Sequence, residues 1–257
     1  MTRCEWTGDE RLRRCDVRGA QWLQHVALWR PDVDDELPPI DGEAAVVLLS
    51  GTFDLLGNGT SWPARGARKT PLQGRPMAVY LPPKATFAVR NAPAARAGEI
   101  LLVYARQPAV EAEPEGRDAL SSKPLLPLAG SGKAFDPKTG EWKPEETFPT
   151  AAESLPPRRF ERVQVGELVL ERVFASDYKA ATLCLDEVVV PAGASLRLGD
   201  VPSRPGCDEL LVFTRRSGEH GGDGDEVQWL SADDADALAI DAADGATYVA
   251  IAYAGKR

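Results

Sequence analysis

The sequence predicts an all-β protein made of two antiparallel modules, and three observations predict it. Long amphipathic helical patterns are scarce. Short apolar runs, many rich in Val and Leu, are punctuated by Gly, Pro and Asp, as strands bounded by turns are. Those runs fall into two groups, 1–108 and 159–257, and the segment between them has a different composition.

Each element has its own warrant. AAVVLLSGTFDLL (44–56) predicts a strand, a Ser-Gly kink and a second strand. LLGNGTSW carries an Asn-Gly pair, the strongest short hairpin signal because both residues tolerate positive φ. MAVYLPPKATFAVRN (77–91) predicts two strands joined at a Pro-Pro corner, and EILLVYARQP (99–108) a further apolar strand. From 109 to 158 the chain is rich in Pro, Glu, Lys and Ser with no steady apolar period, which predicts an irregular bridge. The strand pattern then returns in FERVQVGELVLERVF, KAATLCLDEVVVPAG, DELLVFTRR, VQWL, ALAI and ATYVAIAYAG.

The two groups also resemble each other. GEAAVVLLSGTF and CDELLVFTRRSG each set an acidic residue before an apolar run that ends at a glycine. VYLPPKATFAV and VVVPAGASLRL each bend at a proline between strands. Both likenesses are what a duplicated barrel would leave behind, and any two antiparallel β modules can share them.

Composition narrows the partners. The 257-residue chain carries a net charge of -9, which repels nucleic-acid phosphates and anionic membrane surfaces. A local arginine cluster can still hold a small anion. No apolar run reaches membrane-span length, and no basic patch followed by an apolar run marks a secretory leader, so a cytoplasmic protein is expected. Cys4, Cys15, Cys184 and Cys207 fit neither a zinc motif nor a disulfide framework and are expected as thiols.

Several segments together resemble a known family. QWLQHVALWRP, GEAAVVLLSGTFDLLGNG and GRPMAVYLPPKATFAV are similar to the N-terminal half of the 5-deoxy-glucuronate isomerases of inositol catabolism. These are bicupins, grouped with the 5-keto-4-deoxyuronate isomerases of pectin breakdown. The shared features are a Trp near the start, Glu43 before a strand ending Leu-Ser-Gly, and a Tyr-x-Pro-Pro corner at Tyr80 to Pro83. In the second half, LCLDEVVVPAGASL and GATYVAIAYAG resemble the family's Pro-x-Gly turn and closing strand. The resemblance implies two antiparallel β-barrels of the double-stranded β-helix (jelly-roll) type. It also implies a metal in the second barrel and aldose–ketose isomerisation of a uronate-like sugar acid.

The family's metal ligands are three histidines and a glutamate, and the resemblance places Val201 and Ser203 where two of the histidines belong. Glu209 matches the glutamate, and AIDAADGATY lacks the last histidine. Imidazole suits Zn, Fe and Ni, and one carboxylate holds them weakly. The isomerisation needs a charged centre for its enediol-like intermediate, and losing one such donor costs about 3 kcal/mol or more. The expectation is therefore a metal-free barrel, inactive as the family isomerase, that binds a sugar-acid-like small molecule or serves in assembly, with a homo-oligomer (dimer) as one form.

Ligand contacts are expected from Ser195 and Arg197, which share a strand face, and from Arg215 and Tyr248, with Arg204 and Arg216 near the same mouth. In the first module Trp62, Arg75, Tyr80 and Arg90 could line a second pocket. The alternative is an active isomerase using Glu187, Glu209 or Asp186 as base, with or without a divalent Zn, Mn, Fe or Ni ion. Cys207 beside Asp208 and Glu209 could form a mixed ligand cluster, but a lone cysteine is usually only a thiol. Of the two histidines, His25 is expected as a packed strand residue and His220 at a solvated hairpin tip whose acids lack the order of a calcium loop.

Overall fold

The computed structural model describes residues 2–32, 34–37, 40–57, 60–91, 98–106, 126–128, 133–136, 141–144, 152–153, 161–174, 182–218 and 224–255. The described structure is nearly all β. In the first module the strands are β1 (Thr2–Arg3), β2 (Thr7–Gly8), β3 (Leu12–Asp16), β4 (Leu23–Trp29), β5 (Asp35–Leu37) and β6 (Gly42–Ser50). They continue with β7 (Thr52–Gly57), β8 (Thr60–Gly66), β9 (Ala78–Leu81), β10 (Phe87–Asn91) and β11 (Glu99–Arg106). Within the bridge lie β12 (Leu126–Leu128), β13 (Lys133–Asp136), β14 (Glu141–Pro144) and β15 (Ala152–Glu153). The second module has β16 (Glu161–Val165), β17 (Leu168–Phe174), β18 (Leu183–Val190), β19 (Ser195–Arg197), β20 (Glu209–Arg216), β21 (Glu226–Ser231), β22 (Ala239–Asp241) and β23 (Thr247–Ala254).

Two seven-stranded antiparallel sheets dominate, ordered β15-β9-β6-β11-β4-β3-β2 and β1-β21-β20-β23-β18-β17-β16. Position by position the two orders correspond. The correspondence extends to register: Glu43 lies opposite Ala105 as Glu209 lies opposite Ala254, and Leu23 opposite Ala105 as Leu183 opposite Ala254. The likeness between GEAAVVLLSGTF and CDELLVFTRRSG is thus a true equivalence of β6 and β20. The likeness of the proline corners is not, because β9 takes the sheet position of β21 while β18 takes that of β4.

The edge position is filled by exchange. β1, from the start of the chain, pairs with β21 of the second module. β15, just ahead of the second module, pairs with β9 of the first. Each sheet therefore ends on a strand from outside its own module, β1 of the first module in one case and β15 of the bridge in the other. The bridge also contains an antiparallel β12-β13-β14 sheet where an irregular segment was expected; the remainder of 109–158 lies outside the described residues.

Each large sheet packs one face on a smaller sheet, β5-β10-β7-β8 in the first module and β19-β22 in the second. The first interior is filled by Trp29, Leu48, Phe53, Trp62, Phe87 and Leu102. The second holds Leu170, Val188, Leu196, Val212, Ile240 and Ile251. The other faces of the two sheets meet, burying Val47, Leu101 and Val103 with Leu211, Phe213 and Ala252 in one cluster. Central strands covered on both faces must be apolar at every position. That is why GEAAVVLLS and TYVAIAYA read as unbroken runs, whereas TFDLLG in β7 alternates.

Candidate functional site

The second module contains a cavity of about 320 Å³ at one end of its interior. Its walls come from the 3-10 turn Leu198–Asp200, the 201–207 loop, Leu210 at the start of β20, Ala232, Ala235, Asp236 and Tyr253 of β23. The Pro-x-Gly turn that feeds this region forms as expected, closed by the Ala194 N–H donating to the Pro191 carbonyl at 3.0 Å with Gly193 at φ 79°. Beyond the loop, the Asp208 N–H donates to the Ala254 carbonyl at 2.9 Å. That approach needs Gly255, since a Cβ there would sit 2.1 Å from the Gly206 carbonyl oxygen.

Arg204 descends from the loop and pairs with Asp186 of β18, with only 2% and 0% of the two side chains exposed. Its guanidinium lies 5.8 Å from the centre of the Tyr253 ring. Arg204 Nε, Asp186 Oδ2 and the Tyr253 hydroxyl are buried without a well-formed hydrogen bond. An unmet buried polar atom costs about 1–3 kcal/mol; Arg204 and Tyr253 line the cavity, where a hydroxyl-bearing guest could meet them, while Asp186 lies behind and interacts with the Tyr253 hydroxyl. Burial pushes the Asp186 carboxyl up from its ordinary range against the pull of Arg204, and pushes the Tyr253 phenol well up.

Val201 and Ser203, the positions given to lost histidines, do line this cavity. Glu209 does not. Side chains alternate along β20, so Leu210 faces the cavity and Glu209 faces the junction between the sheets. There the Glu209 carboxylate accepts from the backbone N–H groups of Gln21, Trp22 and Leu23, the last two at 3.0 Å. Its equivalent Glu43 does the reverse, accepting from the N–H groups of Thr182 (2.9 Å) and Leu183 (3.0 Å), the Thr182 hydroxyl and the Tyr80 hydroxyl. Each module thus grips the first turn of the other's central strand.

Most other expected contacts also fall on the junction. Glu187 accepts from Arg68 at 2.8 Å, and Tyr248 is buried beside that pair. Arg215 pairs with Asp225 at 2.6 Å and also with Glu99 of the first module. Ser195 and Arg197 share a face of β19 as expected, but it is the exposed one, with Leu196 turned inward. Cys207 borders the cavity, while Asp208 and Arg216 are exposed. In the first module Trp62 is core, Tyr80 serves Glu43, Arg75 borders a surface groove beside Arg68, and exposed Arg90 lies 3.9 Å from Glu36.

His25 is stacked on Tyr104 with ring centres 4.0 Å apart, and burial lowers its pKa to about 4. His220 lies outside the described residues. Among the described residues no three His, Cys, Asp or Glu side chains converge as a metal-binding group. Of the residues that matter here, Tyr253 and the Arg204–Asp186 pairing were not singled out from sequence, and Glu43 was noted only as a feature of the family resemblance, without a role. The available signal was Asp186 itself, an acid inside the apolar run LCLDEVVV that demands a buried partner.

No protein-family model matches the chain, and no curated protein matches it. Solved structures do. An IolB-like protein from Salmonella typhimurium LT2 aligns over 92% of this chain and 85% of its own, with TM-score 0.58 and 15% identity. The fold is cupin-like. A putative glyoxylate-induced protein from Pseudomonas aeruginosa aligns over 98% and 85% with TM-score 0.53 and 11% identity. Oxalate decarboxylase from Bacillus subtilis, as a two-residue deletion mutant, aligns over 98% and 75% with TM-score 0.52 and 12% identity. At such identities the cupin-like likeness speaks for architecture alone. No helix among the described residues is long and apolar enough to cross a membrane.

Proposed function

We propose that this chain is a metal-independent bicupin that binds a small, hydroxyl-rich, sugar-acid-like molecule in the cavity of its second module. The observation that carries this is the wall of that cavity. The positions nominated for histidines hold Val201 and Ser203, β20 contributes Leu210, and the wall carries the polar side chains of Arg204, Tyr253, Asp200 and Asp236, with Asp186 behind Arg204 as its ion-pair partner. Such a set offers hydrogen bonds and a fixed guanidinium; Cys207 is a single soft donor at its border and no imidazole is among the lining residues, too few donors to retain a transition metal. A volume of about 320 Å³ suits a small metabolite.

Isomerase chemistry fits less well. The nominated bases Glu187 and Glu209 are engaged by Arg68 and by three backbone N–H groups, at the junction and away from the cavity. A general base must reach the proton it removes; Glu187 borders a separate cavity of about 300 Å³ but is already paired there with Arg68, and Glu209 is not among the residues lining the second module's cavity.

The test is thermal denaturation against a panel of uronic and aldonic acids and the corresponding neutral sugars, with calorimetry on any hit. A true ligand at 100 times its Kd stabilises the protein by about 2.7 kcal/mol. Tyr253→Phe and Arg204→Met should weaken binding about tenfold each, as loss of one charge-assisted or buried hydrogen bond does. Turnover of a uronate, or a stoichiometric metal that disappears in Asp186→Asn, would overturn the proposal.

A further inference from the structure

We propose that Cys4 and Cys15 are a reversible disulfide-forming pair, oxidised by a hydroperoxide, that staples the strand lent to the second sheet onto the first. Cys4 follows β1, and its N–H donates to the Val227 carbonyl of β21 at 3.0 Å, so its backbone belongs to the second module's sheet. Cys15 is on β3 of the first module's sheet, fully buried in the cluster between the sheets, and Cys4 packs against that cluster. Eleven positions apart in sequence, the two thiols meet side chain to side chain. The hydrogen bond between them lowers the pKa of Cys4 and, with burial, raises that of Cys15. Cys4 is the thiol open to a reagent and Cys15 the buried partner, which sets Cys4 as the nucleophile and Cys15 as the resolving thiol.

Access is one-sided in the same sense. A surface cavity of about 320 Å³ opens onto Cys4 and is bordered by Arg3, Arg18, Glu5, Asp16 and Trp229; Cys15 does not border it. The reacting segment is held in place by Trp6, whose indole N–H donates to the Asp225 carbonyl at 2.9 Å.

The chemistry balances with one peroxide per pair. The Cys4 thiolate attacks a peroxide oxygen, the O–O bond breaks, and the departing hydroxide or alkoxide takes a proton, leaving a sulfenic acid on Cys4. Cys15 sulfur then attacks Cys4 sulfur, the S–S bond forms, and the hydroxyl leaves as water with the Cys15 proton. Two thiols lose two electrons and the peroxide gains them; a thiol reductant reverses the result by exchange.

The experiment treats the full chain with hydrogen peroxide at low molar excess, alkylates it, and maps peptides by mass spectrometry. The expected result is a Cys4–Cys15 cross-linked peptide, a loss of two hydrogen masses, and return of both alkylatable thiols after dithiothreitol. The small loop it closes should raise the Tm by about 5 °C. Cys4→Ser should abolish the cross-link and leave Cys15 reduced. Cys15→Ala should instead leave Cys4 trapped as a sulfenic acid, detectable with a dimedone probe. Over-oxidation of Cys4 in the unaltered chain, a cross-link confined to Cys184 and Cys207, or both thiols still alkylatable would overturn the proposal.

Discussion

The two modules match at their joint and differ in their interiors. Glu43 and Glu209 occupy equivalent places on β6 and β20, and each caps the start of the other module's central strand. Inside, the equivalence ends. The register that aligns the two sheets sets Ala27 of β4 against Asp186 of β18. Around Ala27 the first interior is closed by Trp29, Phe87 and Trp62. Around Asp186 the second carries a buried ion pair and a cavity. The symmetric feature does the structural work of holding the sheets together. The asymmetric one departs from an apolar interior at a cost in desolvation, which makes it the better candidate for function.

The largest effects should come from breaking that asymmetric interior. Asp186→Ala leaves Arg204 charged and unpaired in the core, and should cost about 3–5 kcal/mol in urea unfolding, whereas the double change Asp186→Leu with Arg204→Met should recover most of the loss. A double variant no more stable than the single one would mean the pair is needed for the fold itself. The symmetric joint comes next. Glu209→Ala strands three backbone N–H donors, and Glu43→Ala two N–H groups and two hydroxyls, so each should cost about 3 kcal/mol. If only one of the two variants is destabilised, the joint is not symmetric in energy.

The equivalence of Tyr104 and Tyr253 gives a third comparison, because Tyr104 stacks on His25 while Tyr253 faces Arg204. His25 has its folded pKa lowered from 6.5 to about 4 by burial. The unfolded chain then binds the proton more readily, so stability is full above pH 6.5 and falls as the pH drops from about 6.5 towards 4. The loss is at most about 3 kcal/mol, and His25→Gln should flatten that part of a Tm–pH profile. The smallest effect belongs to the surface: breaking the exposed Arg162–Glu171 pair, 2.8 Å apart, should change stability by less than about 0.5 kcal/mol.

Much of the fold was legible. Continuous apolar runs at 42–50 and 247–254 marked strands covered on both faces, and the Pro191–Gly193 turn and the acid-led likeness of β6 to β20 formed as expected. The candidate site was less legible, for a physical reason that Glu209 illustrates. A strand residue and its neighbour point to opposite faces, so an assignment one residue off moves a carboxylate from the cavity to the junction. Ser195 and Arg197 were correctly set on one face, but alternation does not say which face is solvent. The likeness of the proline corners failed because turn chemistry repeats wherever a chain reverses, whatever strand follows.

By itself the sequence determined that this is a β-rich protein with a scarcity of imidazole, since strand periodicity and residue counts are local properties of the chain. Only the tertiary structure decided which strands are exchanged, that Glu43 and Glu209 grip each other's modules, and that Cys4 meets Cys15. Those outcomes depend on sheet register and on the packing of one face against another. Both are set by contacts between residues far apart in the chain, and no local pattern encodes them.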